Sequence, residues 1–437
     1  MLYLIYSIFI FQRLKRWLNF YQQHEYDSKR FLIWWIKNKH FDKRATIGLI
    51  ILFLINLINF WAGLFFGIII FVILTFLEPS VKKAKKPLVF TARATRIFVL
   101  SLIIIIGFSV WLKNILFLIL IIQALPIFAV FANLILWPFE KIIQEYYKRD
   151  AQKILKKYQP VVIGITGSYA KTTTKYILGQ ILNAWQPTLW TPGSINTLMG
   201  ITKVIRQDLK PEHKYFIIEM GAYKIGSIKA LCHFVKPKHG IITSIGIAHF
   251  ERFKSIKNIK KAKYELFEGL PKDGIAVFGK NAAIVMAKKL GVPDLTIHAA
   301  LKHAQLPAHR LEIKKINNLV IIDDSYNSNP AGFQKALLVL KKQQAKRKIL
   351  ITPGMVELGT RSEKEHKKIA KLIAQICDYV ILVNKKTTKY LQKYLKDFYL
   401  FSTLNQAQEF VNNLAQSGDA ILYENDLPDI YDEKIIF

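Results

Sequence analysis

The stretch VVIGITGSYAKTTTKYILGQIL (161–182) has the residue types of a nucleotide-binding loop. A β-branched run ends in a glycine-containing turn, and a helical pattern begins near Lys171. Backbone N–H groups in such a turn and at a helix N-terminus can hold phosphate oxygens. Lys171 would reach the β- and γ-phosphates, and the Thr172 hydroxyl would hold Mg²⁺. The predicted nucleotide-binding loop comprises Gly167, Ser168, Tyr169, Ala170, Lys171, Thr172 and Thr173.

Ala170 stands where loops of this kind have a glycine. Alanine has a steric cost if the loop needs a positive φ at that position, and it is tolerated if φ is negative. The spacing alone therefore leaves three interpretations open: a working nucleotide site, a modified one, or a coincidental match in an apolar chain.

Two more polar side chains follow neighbouring β-branched runs. Glu219 lies at the end of YFIIEMG (215–221), and His249 comes after HGIITSIG (239–246). A carboxylate and an imidazole at the ends of adjacent strands can share one Mg²⁺. Taken alone, each of these residues is more typical of a solvated surface or a helix cap.

The sequence from about residue 160 to 437 resembles the Mur ligases, and among them the members that add D-alanyl-D-alanine. The resemblance is specific because many segments match in the family's order and spacing. These segments are GITGSYAKTTT (164–174), TPGSINTLMG (191–200), IIEMGAYKIGSI (217–228), IAHFERFKSI (247–256), KKAKYELFEGLP (260–271), HRLE (309–312), DDSYNSNP (323–330) and MVELG with His366 (355–366).

The resemblance implies ATP and two Mg²⁺ ions as cofactors. Glu219 and His249 match the residues that bind the second Mg²⁺, beside the Mg²⁺ expected at Thr172. Lys263 matches a lysine that family members often carry as a carbamate, in which CO₂ converts a neutral amine into an anionic metal ligand. In a run as lysine-rich as KKAKY (260–264), a solvated lysine is the plainer interpretation.

The resemblance also implies the remaining nucleotide contacts. Arg310 matches an arginine near the γ-phosphate, where a fork of N–H donors suits developing phosphoryl charge. Asp324 matches an acid that contacts the ribose, and Tyr326 and Asn327 lie in the same loop. Asn281 is predicted as an adenine contact. The implied catalytic residues are Lys171, His249, Lys263 and Arg310.

Short β-branched runs alternate with helical patterns in this part of the chain, which predicts an α/β fold with parallel sheets covered on both faces. Ligands in such sheets bind at the carboxyl ends of the strands. We predict a shortened P-loop central domain of the Mur ligase type at 161–308 and a Rossmann-like C-terminal domain at 309–437. The predicted strands are 161–166, 215–221, 239–246, 274–279, 318–325, 348–354, 379–384 and 419–425.

The first 137 residues are predicted to form a helical transmembrane region of four or five spans. An uncharged run of 33 residues (45–77) is long for one span and predicts a hairpin that turns near Trp61-Ala62-Gly63. The runs 97–112 and 115–137 predict a second hairpin that turns at Lys113-Asn114. MLYLIYSIFIF (1–11) is a further span or an interfacial helix. An amphipathic linker helix follows at 138–160.

Basic residues predict the orientation of this region. Segment 13–44 carries nine Lys and Arg residues, and segment 78–96 carries six, including KKAKK (82–86). By the positive-inside rule both face the cytoplasm, which also puts the catalytic part there, on a multi-pass protein of the cytoplasmic membrane. Such clusters orient the chain or bind anionic lipid headgroups. The net charge of +33 comes with no recognition motif, so we predict no nucleic-acid partner.

The sequence departs from the family at four places. Ala170 replaces the loop glycine, and apolar helices occupy the place of the family's UDP-substrate domain. About thirty residues separate GIAVFG (274–279) from HRLE (309–312), where the family has a longer section. The C-terminal LYENDLPDIY (422–431) lacks the basic element expected for the D-alanyl-D-alanine site.

These observations predict a membrane-anchored, ATP-dependent amide ligase of peptidoglycan assembly. Its acceptor would be a UDP- or lipid-linked muropeptide, and its amine an amino acid or a dipeptide such as D-alanyl-D-alanine. Two alternatives remain open: a catalytically weak or inactive membrane scaffold of cell-wall assembly with the same fold, and a ligase for another substrate, such as a polyglutamate-adding enzyme. The set Lys171, Thr172, Glu219, His249, Lys263 and Arg310 argues against the scaffold, which has no need of all six.

Overall fold

The computed structural model of the protein describes residues 2–38, 40–78, 86–112, 115–326, 328–427 and 431. Contacts divide the chain into two compact units, one built mainly of residues up to Ile143 and the other of Gln144–Asp426. Several predicted features lie outside the described residues: most of the basic run 82–86, the turn at Lys113-Asn114, the site residue Asn327 and part of LYENDLPDIY.

The first unit is helical. The uncharged run 45–77 forms two helices, as predicted, but the chain breaks at Asn59 rather than at 61–63. Asn59 ends one helix and begins the next, and its side chain accepts a hydrogen bond from the N–H of Ala62. Asparagine is a preferred N-cap, so it sets the break within an otherwise apolar run. The helices are α1 (Leu2–Gln23), α2 (Ser28–Lys37), α3 (Lys43–Ile58), α4 (Phe60–Phe76), α5 (Ala92–Leu112) and α6 (Ile115–Tyr158).

Two of the described helices are long and apolar enough to cross a membrane by length and composition: α5, and α6 from Leu120 onward. Helices α3 and α4 have 16 and 17 residues, fewer than the ~20 that a full span needs. The four or five spans predicted from the apolar runs are therefore not supported. Helix α6 is also continuous through Pro126 and Pro138, so no helix end falls at the predicted boundary 137/138.

The second unit contains a five-stranded parallel sheet, here called the central sheet, with the order β2-β3-β1-β4-β5. Ile165 pairs with Glu219 on one side and with Ile241 on the other, so the three strands end at the same edge. The chain positions that follow these ends form the candidate site. The strands are β1 (Val161–Thr166), β2 (Thr188–Trp190), β3 (Tyr215–Glu219), β4 (His239–Ile242) and β5 (Ala276–Phe278).

Helices cover both faces of the central sheet. Side chains alternate along β1, so that Val162 packs in one apolar cluster and Ile163 in the other. This arrangement is the one predicted for parallel strands. The shortened section before Arg310 consists of α12 and α13. The helices of this part are α7 (Lys171–Asn183), α8 (Leu198–Gln207), α9 (Ser227–Val235), α10 (Phe250–Phe253), α11 (Ile256–Glu268), α12 (Ala282–Lys289) and α13 (Asp294–Lys302).

A second sheet, here called the C-terminal sheet, has the order β10-β9-β8-β11-β7-β6. It is mixed rather than fully parallel, because β6 runs antiparallel to β7. The two strands are joined at Asn317-Asn318, whose φ values of 48° and 62° suit a two-residue hairpin turn. The elements are β6 (Glu312–Ile316), β7 (Leu319–Asp324), α14 (Pro330–Lys341), β8 (Lys348–Thr352), α15 (Ser362–Ile376), β9 (Tyr379–Val383), α16 (Lys389–Tyr394), β10 (Tyr399–Phe401), α17 (Leu404–Leu414) and β11 (Ala420–Glu424).

Candidate active site

The predicted phosphate loop connects β1 to the N-terminus of α7. Gly167 has a φ of 149°, and a Cβ there would lie 1.9 Å from the Thr243 hydroxyl, so a side chain cannot fit. The loop is fastened to the segment after β4. The N–H of Ser168 donates to the Ser244 carbonyl at 2.8 Å, and the Thr243 hydroxyl donates to the Tyr169 carbonyl at 2.6 Å.

Ala170 precedes α7 in the left-handed conformation, with φ 59° and ψ 11°. The loop thus needs the positive φ for which a steric cost was predicted. That conformation costs an L-residue other than glycine roughly 1–2 kcal/mol. Ala170 therefore holds a backbone conformation that favours glycine directly before α7.

Lys171 and Thr172 begin α7 at the edge where β1 and β3 end. The Lys171 ammonium donates to the Gly167 carbonyl at 3.0 Å. Burial lowers the pKa of Lys171, Glu219 opposes this shift, and Arg310 adds to it. The Thr172 hydroxyl donates to the Glu219 carboxylate at 2.9 Å. Two residues predicted as metal ligands are therefore in direct contact.

Glu219 is buried and has three side-chain donors. Besides Thr172, the Lys175 ammonium lies 3.2 Å from Oε2, and the Asn196 amide lies 3.3 Å from Oε1. Sequence reasoning missed Lys175 and Asn196. Lys175 lies one helical turn after Lys171 on the same face of α7, and this spacing was the signal available in the sequence.

His249 is held by a residue of the C-terminal part. Its Nδ1 lies 2.5 Å from the Glu357 carboxylate, and its backbone is left-handed with φ 56°. Glu357 belongs to the MVELG segment, which the buried His366 supports by accepting the N–H of Met355. Among the described contacts His249 and Glu219 have different partners, so their sharing of one Mg²⁺ stays a prediction.

Lys263 lies on α11 and is buried. Burial is the main cause that sets the pKa of Lys263 well below its ordinary value, and the Lys171 charge lowers it further. Glu219 and Glu265 act in the opposite direction. The interpretation as a solvated lysine is thereby wrong, whereas the carbamate stays a prediction.

Arg310 joins the two sheets at the site. Its guanidinium donates to the Thr172 hydroxyl at 3.2 Å and lies 4.2 Å from the centre of the Tyr326 ring. The Tyr326 hydroxyl in turn hydrogen-bonds the Ser194 hydroxyl. A cavity of about 610 Å³ opens beside these contacts. Its lining includes Thr172, Tyr176, Trp190, Ser194, Arg310 and Tyr326.

Asp324 and Asn281 complete the predicted nucleotide contacts within the described residues. Asp324 accepts the N–H of Leu311 at 3.1 Å, and burial raises its pKa to about 6. It pairs in register with Glu424 on β11, whose pKa burial and Asp324 raise well above the ordinary range. Asn281 is exposed and precedes α12.

The donor set suits a magnesium nucleotide. Hydroxyl and carboxylate oxygens, as at Thr172 and Glu219, are ligands that Mg²⁺ prefers. A lysine beside backbone N–H groups at a helix N-terminus suits phosphate oxygens. The residues present therefore fit the cofactors that the resemblance implies.

Two family models match consecutive parts of the chain that overlap at residues 309–318. The Mur ligase middle domain matches residues 165–318, and the glutamate ligase domain of the Mur ligases matches residues 309–423. Together they span more than half of the 437 residues. The chain belongs to the Mur ligase family.

Among characterised Mur ligases, the UDP-N-acetylmuramoyl-tripeptide--D-alanyl-D-alanine ligase of Escherichia coli is 26% identical and aligns with 52% of this chain. The Bacillus subtilis enzyme of the same name is 24% identical over 63% of this chain and 75% of its own length. The chain covers only 65% of the E. coli relative and 62% of a Buchnera relative, less than two thirds of each.

Solved MurF structures share the fold. The crystal structure of MurF from Acinetobacter baumannii is 25% identical with a TM-score of 0.59, and the match covers 65% of this chain and 77% of that one. MurF from Thermotoga maritima in complex with ADP has a TM-score of 0.57 at 22% identity, over 65% of this chain and 80% of that one. These matches support a Mur ligase of the MurF kind.

Proposed function

We propose that this protein is an ATP-dependent ligase that joins a carboxylate to an amine, as MurF-type enzymes do. The observation that carries the proposal is the position of the Thr172 hydroxyl, which contacts both the Glu219 carboxylate at 2.9 Å and the Arg310 guanidinium at 3.2 Å. Phosphate loop, strand end and C-terminal part thus converge on one atom. Phosphoryl transfer needs this kind of positioning and charge stabilisation more than it needs covalent chemistry by the protein.

The chain's own residues have separate roles in this proposal. The loop N–H groups and Lys171 hold the β- and γ-phosphates, and Arg310 stabilises charge on the phosphoryl group that is transferred. Thr172, Glu219 and His249 hold Mg²⁺, which when bound neutralises phosphate charge. As the resemblance implies, we assign Asp324 and Asn327 to the ribose of ATP and Asn281 to its adenine.

The proposed reaction has two steps. A carboxylate oxygen of the acceptor attacks the γ-phosphorus, the bond to the β-phosphate oxygen breaks, and ADP leaves with the bonding electrons. The amine then attacks the acyl carbon, phosphate leaves, and the amine loses a proton. Lys263 is buried and its pKa is lowered, which favours the neutral amine that carbamate formation needs, and that carbamate would add an anionic oxygen near the metal.

The substrates follow from the relatives and from the departures in sequence. The relatives are named for a UDP-linked muramoyl-tripeptide and D-alanyl-D-alanine, and we assign this chain a muropeptide acceptor and an amino acid or dipeptide as the amine. At the end of β11 the chain has the buried Glu424 rather than a basic residue. The amine site therefore differs in charge from one built on a basic element.

Membrane attachment is part of the proposal, with the ligase part in the cytoplasm. Large apolar side chains are exposed along α3 to α6, while Arg13 pairs with Asp42 and Glu78 in the interior of the helical unit. A helical unit with apolar side chains on its surface and charged side chains in its interior has the pattern expected in lipid. Examples that are more than half exposed are Ile58, Trp61, Phe76, Trp111 and Trp137. A lipid-linked acceptor would then reach the site from the bilayer surface.

Phosphate release from ATP by the detergent-solubilised protein tests the function. D-alanyl-D-alanine serves as the amine, UDP-linked and lipid-linked muropeptides are compared as acceptors, and Lys171→Ala is measured beside each. We expect release that depends on the acceptor and is lost in the variant, with the lipid-linked acceptor preferred. ATP binding without release would point to another substrate pair, and neither binding nor release would favour a scaffold.

A further inference from the structure

Lys175 is a fully buried lysine in α7 that the proposed chemistry does not use. Its ammonium donates to the Gly193 carbonyl at 2.6 Å and to Glu219 Oε2 at 3.2 Å. One cation thus connects the helix that follows the phosphate loop, the end of β3 and the loop after β2. Buried lysines are rare unless their charge is paired. We therefore expect the Lys175 ammonium to matter for its hydrogen bonds inside the protein rather than for solubility.

The contacts of Lys175 converge on residues 193–196, which we call the bridging segment. Gly193 is held at both of its backbone groups by consecutive residues of α7, because its N–H donates to the Tyr176 hydroxyl at 3.0 Å while its carbonyl accepts from Lys175. Ser194 bonds the Tyr326 hydroxyl. Asn196 donates to Glu219 Oε1 at 3.3 Å. The segment therefore contacts α7, β3 and the C-terminal part within four residues.

We propose that Lys175 is a positioning residue that couples the phosphate-loop helix to the bridging segment, and through it to the bound acceptor. It acts by fixing the Glu219 carboxylate and the Gly193 carbonyl in one arrangement, without touching the reacting atoms. This inference rests on the proposed function, since it assigns the acceptor to the side of the site that the bridging segment forms. Small displacements of positioned groups lower rates by up to about 100-fold, so the effect should be large.

Lys175→Met tests the proposal because it keeps most of the length of the side chain and removes the charge. We expect kcat to fall about 10- to 100-fold and KM for the acceptor to rise, while KM for ATP changes less than about threefold, since Lys171 and Thr172 are intact. Lys175→Arg, which retains a cation, should recover part of kcat. Lys203→Met, at an exposed lysine on α8, is the matched control and should leave all three constants unchanged.

Tyr176→Phe separates the two halves of the coupling. It frees the Gly193 N–H but leaves Glu219 and its donors in place, so we expect a higher acceptor KM with kcat within about threefold of the wild type. If Lys175→Met does not fold, Tyr176→Phe decides, and an unchanged acceptor KM overturns the proposal. The proposal is also overturned if folded Lys175→Met has the kcat and KM values of the wild type. It is overturned as well if kcat falls only because a smaller fraction of the variant is active, while both KM values stay unchanged. A wild-type protein without acceptor-dependent turnover would instead overturn the proposed function.

Discussion

The central sheet holds Glu219 with hydrogen bonds from its own half of the site, whereas the C-terminal part reaches the Thr172 hydroxyl through the long side chain of Arg310. Glu219 has donors from α7 and the bridging segment. Among the hydrogen bonds of the described residues, Arg310 meets the central part at the Thr172 hydroxyl, 3.2 Å away. We therefore expect the central half to be preorganised for phosphate and metal, and the C-terminal half to act on the nucleotide mainly through Arg310.

Lys171→Ala should have the largest effect, because it removes the phosphate cation of the preorganised half. We expect kcat to fall by about 1,000-fold, the upper range for one lost charge-stabilising donor, and ATP binding to weaken as well. Phosphate release and calorimetric ATP binding check both expectations. Lys203→Ala serves as the control for general loss of positive charge. Full activity of Lys171→Ala would remove the phosphate loop from the account.

Arg310→Ala should lower kcat by about 100-fold while ATP affinity stays within about threefold of the wild type, because this side chain acts on developing charge. Arg310→Lys keeps the charge but loses the planar fork of donors, and we expect only partial recovery. If Arg310→Ala weakens ATP binding as much as Lys171→Ala does, the expected difference between the two halves of the site is contradicted.

Asp324 should give the C-terminal sheet a distinctive dependence of stability on pH. Burial raises its pKa to about 6 in the folded protein from an ordinary 3.8, so the folded state retains the proton longer than the unfolded state. Its contribution is therefore most favourable below about pH 4 and is lost as pH rises through 6, with roughly 2–3 kcal/mol as an upper limit. Melting temperatures of Asp324→Asn and the wild type at pH 4.5 and 7 measure this, and we expect the variant to gain relative stability at pH 7.

The neighbouring Asp323→Asn is the control for that measurement. Burial acts against ionisation of Asp323, but bonds from Ser325 and His309 outweigh it and lower the pKa of Asp323. Its contribution has the opposite sign: it is present above pH 4 and is lost as pH falls. Equal pH profiles for the two variants would contradict the buried environment of Asp324.

Ala170→Gly should have the smallest effect and tests whether the central half carries backbone strain. Relief of the left-handed alanine gains roughly 1–2 kcal/mol, and the greater freedom of glycine in the unfolded chain takes back about 0.4–1 kcal/mol. We expect a rise in melting temperature of about 1–3 °C and an ATP affinity equal to or slightly above that of the wild type. Ala170→Val should instead destabilise, since a β-branched residue suits this conformation least. A melting temperature lowered by glycine would show that the loop is not strained.

The regular part of the fold could be predicted from the sequence, because its strands are continuous apolar runs. All eight predicted strands are present, and their ends lie within four residues of the predicted bounds. Strands β2 and β10 have three residues each, too short for a pattern. Strand β6 is EIKKI with an exposed surface, and its signal was the Asn-Asn turn rather than its composition.

The positions of candidate site residues could be predicted where they follow strand and helix ends, but the partners that tertiary contacts give them could not. Lys171, Thr172 and Glu219 lie at strand and helix ends, where the pattern placed them. Lys175 lies inside a helix, and its residue type does not distinguish it from the many other lysines. Glu357 contacts His249 although the two residues are 108 positions apart in the sequence. Helix α6 was divided in the prediction because its composition changes at 137/138, although the helix runs through this point from Ile115 to Tyr158.

The proposed ligase reaction is tested most directly by following the transfer of one oxygen atom from the acceptor carboxylate to phosphate. An acceptor whose carboxylate carries ¹⁸O at both oxygens is incubated with the protein, ATP, Mg²⁺ and the amine, and the released phosphate is examined by mass spectrometry. If the acceptor carboxylate attacks the γ-phosphate at this site, one ¹⁸O appears in each phosphate and amide forms in equal amount, and both vanish in Lys171→Ala. Phosphate without ¹⁸O would mean that water attacks ATP, and it would contradict the proposed ligase.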